Sequence, residues 1–201
     1  MTASADRKIL RSMPLVPALE VLRDARGDAI VVTTMGSTRE WVKFAAHPLD
    51  FHYIPSAMGQ GPPLALGLAL AQPGREVIVV NGDGCLLMSL GSLVTITASG
   101  ARNLTHVLID NGVYEVTGGQ RLPATGRVDF VGMARAAGFP SAVRFDDLEA
   151  WRCGAHAALQ QPGPRFIQLV VEPQVDVEPP VFRESMPQRI ENLRRALGIV
   201  G

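Results

Sequence analysis

The chain has 201 residues, 47% of them hydrophobic and 19% charged, with 19 basic side chains balanced by 19 acidic ones. A single globular domain of this size buries roughly 70% of its unfolded surface, so neither disulfides nor a structural metal are required, and Cys85 and Cys153 are too few for a disulfide framework. Zero net charge and scattered single arginines exclude the basic stripe that nucleic acid demands. Residues 1–17 lack the long apolar stretch of a signal peptide, and the apolar run at 62–71 is too short to span a bilayer. A cytoplasmic protein with reduced thiols and no membrane partner is the expectation.

In chain order, the apolar pattern predicts a helix over 15–26, a strand over 29–33, a helix over 38–46 and a strand over 51–54. A helix over 62–71, a strand over 77–81, a helix over 86–99 and a strand over 105–110 come next. A helix over 130–137, a strand over 141–144, a helix over 148–160 and a strand over 166–171 complete the alternation. Runs such as Val77-Ile78-Val79-Val80 and Val107-Leu108-Ile109 are apolar on both faces, as central strands covered by helices must be. The expected fold is therefore α/β: a doubly wound, mainly parallel six-stranded sheet with helices on both faces. Ser37-Thr38-Arg39-Glu40 fits a capping box at the second helix start. The Pro-rich stretch 172–180 reads as an extended arm leading to a last helix over 187–197, with Leu193 and Leu197 on one face. Such an arm and helix suit either a partner subunit or the chain's own core.

Ligands of open parallel sheets bind at the carboxyl ends of the strands. There the strand over 77–81 runs into Gly82-Asp83-Gly84, and the next strand into Asp110-Asn111-Gly112. Neighbouring strand ends place a carboxylate beside a carboxamide, an all-oxygen pair suited to a hard cation such as Mg²⁺. Gly82 and Gly84 leave backbone room for a phosphate, and the following helix presents its amino-terminal amides to the same anion. The combination describes a metal-bridged diphosphate. Gly-Asp-Gly alone arises by chance about 0.1 times in such a chain, and requiring the Asn downstream lowers this to roughly 1 in 100.

Gly82-Asp83-Gly84, then 26 residues, then Asn111, resembles the thiamin-diphosphate motif of decarboxylases, acetolactate synthases and transketolases. The resemblance implies that Mg²⁺ is held by Asp83, Asn111 and the backbone carbonyl of Val113, with Tyr114 beside it. Ser56-Ala57-Met58-Gly59 resembles the family's Gly-Ser-Met-Gly segment, implying that Met58 wedges the cofactor into its bent shape; the alternative is an ordinary core methionine. Ser56 stands where the family usually has Gly, and Cys85 replaces a common Ser whose backbone amide the family uses; a redox or nucleophilic Cys85 is the other reading. Thr34-Met35-Gly36-Ser37-Thr38-Arg39-Glu40 resembles the Thr-Gly-x-x-Ser-Arg-Glu segment of phosphonopyruvate decarboxylases and sulfopyruvate decarboxylase β subunits, which implies diphosphate contacts around Gly36 and Ser37. Asp50-Phe51, Thr117-Gly118-Gly119-Gln120 and Asp129-Phe130 extend the likeness over residues 15–171. Glu115 and Gln120 fall near the implied site, either as site groups or as plain loop residues.

The family's second domain, which carries the Glu that protonates the aminopyrimidine ring, has no counterpart among these residues, and Glu20, Glu40 and Glu76 lie in no version of its motif. The resemblance thus implies a diphosphate-binding domain over residues 1–172 followed by an arm and helix over 173–201, active with a separate pyrimidine-binding subunit in a hetero-oligomer, or pairing as a homodimer in isolation. The implied activity is decarboxylation of a small anionic 2-oxo acid using thiamin diphosphate and Mg²⁺. Arg39, Arg121, His47 and His52 are candidate contacts to the substrate anion, each alternatively a surface residue. Half of an acetolactate-synthase-like carboligase and a non-catalytic cofactor-binding module are the competing expectations. A nicotinamide-binding domain is disfavoured because no G-x-G-x-x-G follows the first strand.

Overall fold

β-Branched runs that are apolar on both sides dictate strands buried between helical layers. In the computed structural model, which describes residues 11–54, 58–123, 125–174, 182 and 184–199, the elements run as follows. First come α1 (Leu15–Ala25), β1 (Ile30–Thr33), α2 (Met35–Trp41), β2 (Asp50–His52), α3 (Gly61–Ala71) and β3 (Val77–Gly82). Then follow α4 (Asp83–Met88), α5 (Gly91–Ala98), β4 (Leu104–Asp110), and a hairpin of β5 (Val113–Tyr114) and β6 (Gln120–Arg121). The chain continues through α6 (Phe130–Ala136), β7 (Ser141–Phe145), α7 (Leu148–Leu159), β8 (Arg165–Val170) and α8 (Met186–Ala196).

All six expected strands are present, in the order β2-β1-β3-β4-β8-β7, every pairing parallel. Alternate residues feed two cores. Val77, Val79, Leu104 and Phe166 pack with α3, α5 and α6, while Ile78, Val80, Val107 and Ile167 pack with α1, α7 and Trp41 of α2. The strand order reverses between β1 and β3. The helices that follow these two strands, α2 and α4, lie on opposite faces of the sheet. Loops diverging to opposite faces leave a crevice at the carboxyl edge, the place where such sheets take ligands.

Three expectations need correction. The helix expected over 86–99 is two helices, α4 and α5, because Ser89 leaves helical backbone (φ −143°, ψ 46°). The helix expected over 38–46 begins at Met35, with Thr34 as its amino cap, so Ser37 acts from inside the first turn and accepts the Thr34 amide at 3.3 Å. Glu40 has no capping role; its carboxylate meets Arg39 and Lys43 instead. The β5–β6 hairpin was not expected at all. Of the arm, Glu172 continues the pairing of Met13 with the end of β8, and residues 175–181 lie outside the described residues. Helix α8 lies against β2, its Leu193 joins the core, and Arg189 donates to the His52 carbonyl. Among the described residues no helix is long and apolar enough to cross a membrane.

Candidate functional site

The segments following β1, β3 and β4 meet in one cleft at the carboxyl edge. Gly36 and Ser37 line it from α2, and Met58 from the turn before α3. Gly82, Asp83, Gly84 and Cys85 line it from the β3–α4 junction, and Asn111, Val113 and Tyr114 from the segment after β4. Residues up to 78 positions apart are thereby brought together, Gly36 at one end of that span and Tyr114 at the other. Ser56 lies outside the described residues.

Asp83 is the centre of the arrangement. It is only 2% exposed, and its two carboxylate oxygens accept the Gly84 and Gly112 amides, each at 2.7 Å. Asp83 therefore ties the β3 loop to the β4 loop. Burial, reinforced by a hydrogen bond to Asp110 at the end of β4, pushes its carboxyl pKa up to about 8. Asp110 is itself held by the Gln168 side-chain amide at 2.7 Å. Among the ion pairs of the described residues none involves Asp83, so two acidic groups face one another without a cationic side chain. A divalent cation bound here would displace the proton and supply the missing charge. The neighbouring donors, a carboxamide and backbone carbonyls, are hard oxygen ligands of the kind Mg²⁺ takes.

Asn111 is the carboxamide of the cleft lining. Its Oδ1 accepts the Val113 amide at 3.0 Å, and its Nδ2 donates to Glu115 Oε1 at 2.8 Å. The hairpin holds this loop in place: Val113 pairs with Arg121 and Tyr114 with Gln120. The ring of Tyr114 crosses directly over Gly84, where a Cβ would lie 2.5 Å from a ring carbon. The two glycines of the motif therefore differ. Nothing stands within 4 Å of a Cβ at Gly82, which leaves open space for a ligand, whereas the room at Gly84 is occupied by Tyr114 and Leu122 rather than kept for a phosphate. The cradle fits a metal-bound diphosphate on the Gly82 side, where the backbone is open.

Other expected groups fare differently. The Ser37 hydroxyl lies 2.7 Å from the Thr34 carbonyl and 3.1 Å from that of Val80, binding α2 to β3 and leaving its backbone to face the cleft. Cys85 is buried, and burial pushes its thiol above the ordinary value, away from a nucleophilic thiolate. Arg39 is buried between Glu40 and Glu115, so its guanidinium is already committed. His47 precedes β2, at the opposite edge of the sheet, and its Nδ1 accepts the Leu49 amide. His52 lies 2.9 Å from the Thr33 hydroxyl and against Phe182, away from the cleft, and burial holds its imidazole below the usual value. Arg121 is exposed on β6, the Gln120 side chain bonds Thr117, and the cleft lining includes neither. Sequence reasoning missed Thr34, whose hydroxyl meets the fully buried Asn81 at 3.1 Å, and Met35, which adopts φ 47°. The position of Met35 within the segment resembling Thr-Gly-x-x-Ser-Arg-Glu, where that pattern has Gly, was the available signal.

A doubly wound sheet whose switch-point crevice gathers a buried carboxylate, a carboxamide and open glycine backbone defines a cofactor-binding α/β domain. The comparisons make the class specific: residues 33–169 match the family described as thiamine pyrophosphate enzyme, C-terminal TPP binding domain, and the chain belongs to that family. It is similar to phosphonopyruvate decarboxylase of Streptomyces viridochromogenes, 39% identical over 79% of this chain and 40% of that protein. It is also similar to sulfopyruvate decarboxylase subunit beta of Methanothermobacter thermautotrophicus, 37% identical over 79% of this chain and 82% of that subunit. The chain thus spans about 40% of the phosphonopyruvate decarboxylase but most of the separate β subunit. The benzoylformate decarboxylase structure from Polynucleobacter necessarius superposes with a TM-score of 0.63 at 19% identity, covering 82% of this chain and 33% of that one, a likeness of fold.

Proposed function

We propose that this chain is the cofactor-holding part of a cytoplasmic, thiamin-diphosphate- and Mg²⁺-dependent 2-oxo acid decarboxylase of the phosphonopyruvate or sulfopyruvate type, a lyase completed by a separate pyrimidine-binding chain. The observation that carries the reading is the convergence on one cleft of Asp83, Asn111 and Val113 with Gly36, Ser37 and Met58. Asp83, Asn111 and the Val113 carbonyl would hold Mg²⁺, and the backbone around Gly36, Ser37 and Gly82, with Cys85 and Tyr114 beside it, would take the diphosphate. Met58 would support the cofactor's bent shape from the opposite wall. When bound, thiamin diphosphate supplies the electron sink that lets CO₂ depart from a 2-oxo acid. The companion chain would close the cleft and bring the activating Glu.

Apolar side chains at the end of α4, between the helices and on α5 support that division of labour, since Met88, Leu90 and Val94 are exposed five to eleven residues after Asp83. The test is reconstitution with a companion chain of pyrimidine-binding type, following CO₂ release from phosphonopyruvate and from sulfopyruvate. Release is expected only with both chains, thiamin diphosphate and Mg²⁺ present. Persistent Mg²⁺-dependent cofactor binding without CO₂ release from either acid would instead make the chain a binding module.

A further inference from the structure

We propose that Glu115 is a positioning residue that orients Asn111 for the cation and, together with Arg39 and Gln174, fastens the chain leaving β8 to the same loop. The proposal rests on the reading of Asp83 and Asn111 as cation ligands. Glu115 opens the turn after β5, and its side chain is only 5% exposed. Its Oε1 accepts both the Asn111 Nδ2 and the Gln174 backbone amide, each at 2.8 Å. Its Oε2 accepts Arg39 Nη2 at 3.2 Å, and the same Nη2 donates to Gln174 Oε1 at 2.9 Å. One carboxylate thus joins the segments that follow β1, β4 and β8.

The chemistry of Asn111 explains why a carboxylate is needed there. A carboxamide has a donating end and an accepting end, and its neighbours decide which faces which way. A carboxylate accepts only, so Glu115 compels Asn111 to present Nδ2 to it and leaves Oδ1 on the Val113 side, where the third ligand group lies. Reversed, the amide would set Oδ1 against a buried carboxylate and Nδ2 against the Val113 N–H, two repulsive contacts. The charge is balanced locally: Arg39 serves Glu40 and Glu115, and Lys43 adds a second cation to Glu40. Glu115 Oε2 also stands 3.1 Å from where a Cβ would project at Gly36, so the carboxylate is packed against the diphosphate segment as well. Groups that orient a ligand's free end govern metal affinity by roughly 10–100-fold.

The test compares wild type, Glu115→Gln and Glu40→Gln. Glutamine keeps the size but brings a donor to face Asn111 Nδ2 or Arg39. Glu40→Gln disturbs the same guanidinium without touching Asn111. Two quantities are read on the full chain: the Mg²⁺ concentration giving half-saturation with thiamin diphosphate by calorimetry, and hydrogen exchange at the Gln174 amide without cofactor. Glu115→Gln is expected to raise the Mg²⁺ requirement about tenfold or more and to accelerate Gln174 exchange by a similar factor, while Glu40→Gln leaves both within about twofold. A Glu115→Gln chain that merely melts lower, with the wild-type Mg²⁺ requirement, would overturn the proposal and leave the cation reading standing. Wild type that binds thiamin diphosphate without Mg²⁺ dependence would overturn the cation reading and the proposal together.

Discussion

Replacing Gly84 by alanine tests whether the motif's second glycine exists for Tyr114. A Cβ there would lie 2.5 and 2.8 Å from two ring carbons of Tyr114 and 3.1 Å from Leu122 Cδ2. Carbon atoms prefer roughly 3.5–4.0 Å, so the ring must retreat by about 1 Å, carrying β5 with it. Overpacking of this kind costs about 1–3 kcal/mol, partly offset by about 0.5–1 kcal/mol because alanine is the better helix residue inside α4. Gly67 provides the contrast: it sits in α3 with nothing within 4 Å of its Cβ position. There the helical term acts alone, and alanine should stabilise by about 0.5–1 kcal/mol. Urea denaturation should therefore move the midpoint down for Gly84→Ala and up for Gly67→Ala, and because Tyr114 adjoins Val113 and Glu115, only Gly84→Ala should weaken thiamin diphosphate binding. Equal stabilisation by both substitutions would refute the steric argument.

Three further outcomes are expected. Met35 holds φ 47°, which costs an L-residue about 1–2 kcal/mol, so Met35→Gly should raise stability by up to about 1 kcal/mol after the glycine's greater unfolded entropy is counted; a lowered melting temperature would contradict this. The metal-free chain should lose stability as pH rises from 3.8 towards about 8, because folded Asp83 retains a proton that the unfolded chain releases, and the loss should level off above that range. Asp83→Asn should flatten this descent in denaturation measured at several pH values; an unchanged slope would place its origin elsewhere. Met58→Ala should lower turnover of the reconstituted enzyme more than cofactor affinity, since it removes support beneath the cofactor rather than an anchor, and equal losses would make Met58 a packing residue.

The strands were legible because four of the six, β1, β3, β4 and β8, contain β-branched or aromatic runs whose burial on both faces leaves one physical solution, as in Val77–Gly82 with its five buried residues before Gly82. The break between α4 and α5 was not, since the apolar residues of 86–99 recur without a proline to mark a stop, and the interruption lies in the backbone at Ser89. The start of α2 was misplaced because Ser37 and Glu40 have capping-box spacing, yet Glu40 is occupied by Arg39 and Lys43. Two-residue strands carry no periodicity, which hid β5 and β6. At the site, the spacing of Asp83 and Asn111 sufficed to place them together at the carboxyl edge. Their partners did not follow from spacing. Glu115 reaches Arg39 and Gln174, 76 and 59 positions away, and Asp83 is a buried link between loops rather than a group in an open cleft.

Calorimetric titration of wild type and Asp83→Ala with thiamin diphosphate, each with and without Mg²⁺, tests the central claim most directly. The Ala variant also strips the Gly84 and Gly112 amides of their acceptor, so its folding is verified by circular dichroism before titration. Heat of binding that appears for wild type only when Mg²⁺ is present, and is absent from the folded Ala variant under both conditions, is the predicted result. Binding of equal strength by both chains, or by wild type without regard to Mg²⁺, would contradict the assignment of Asp83 as the anchor of a metal-bound diphosphate.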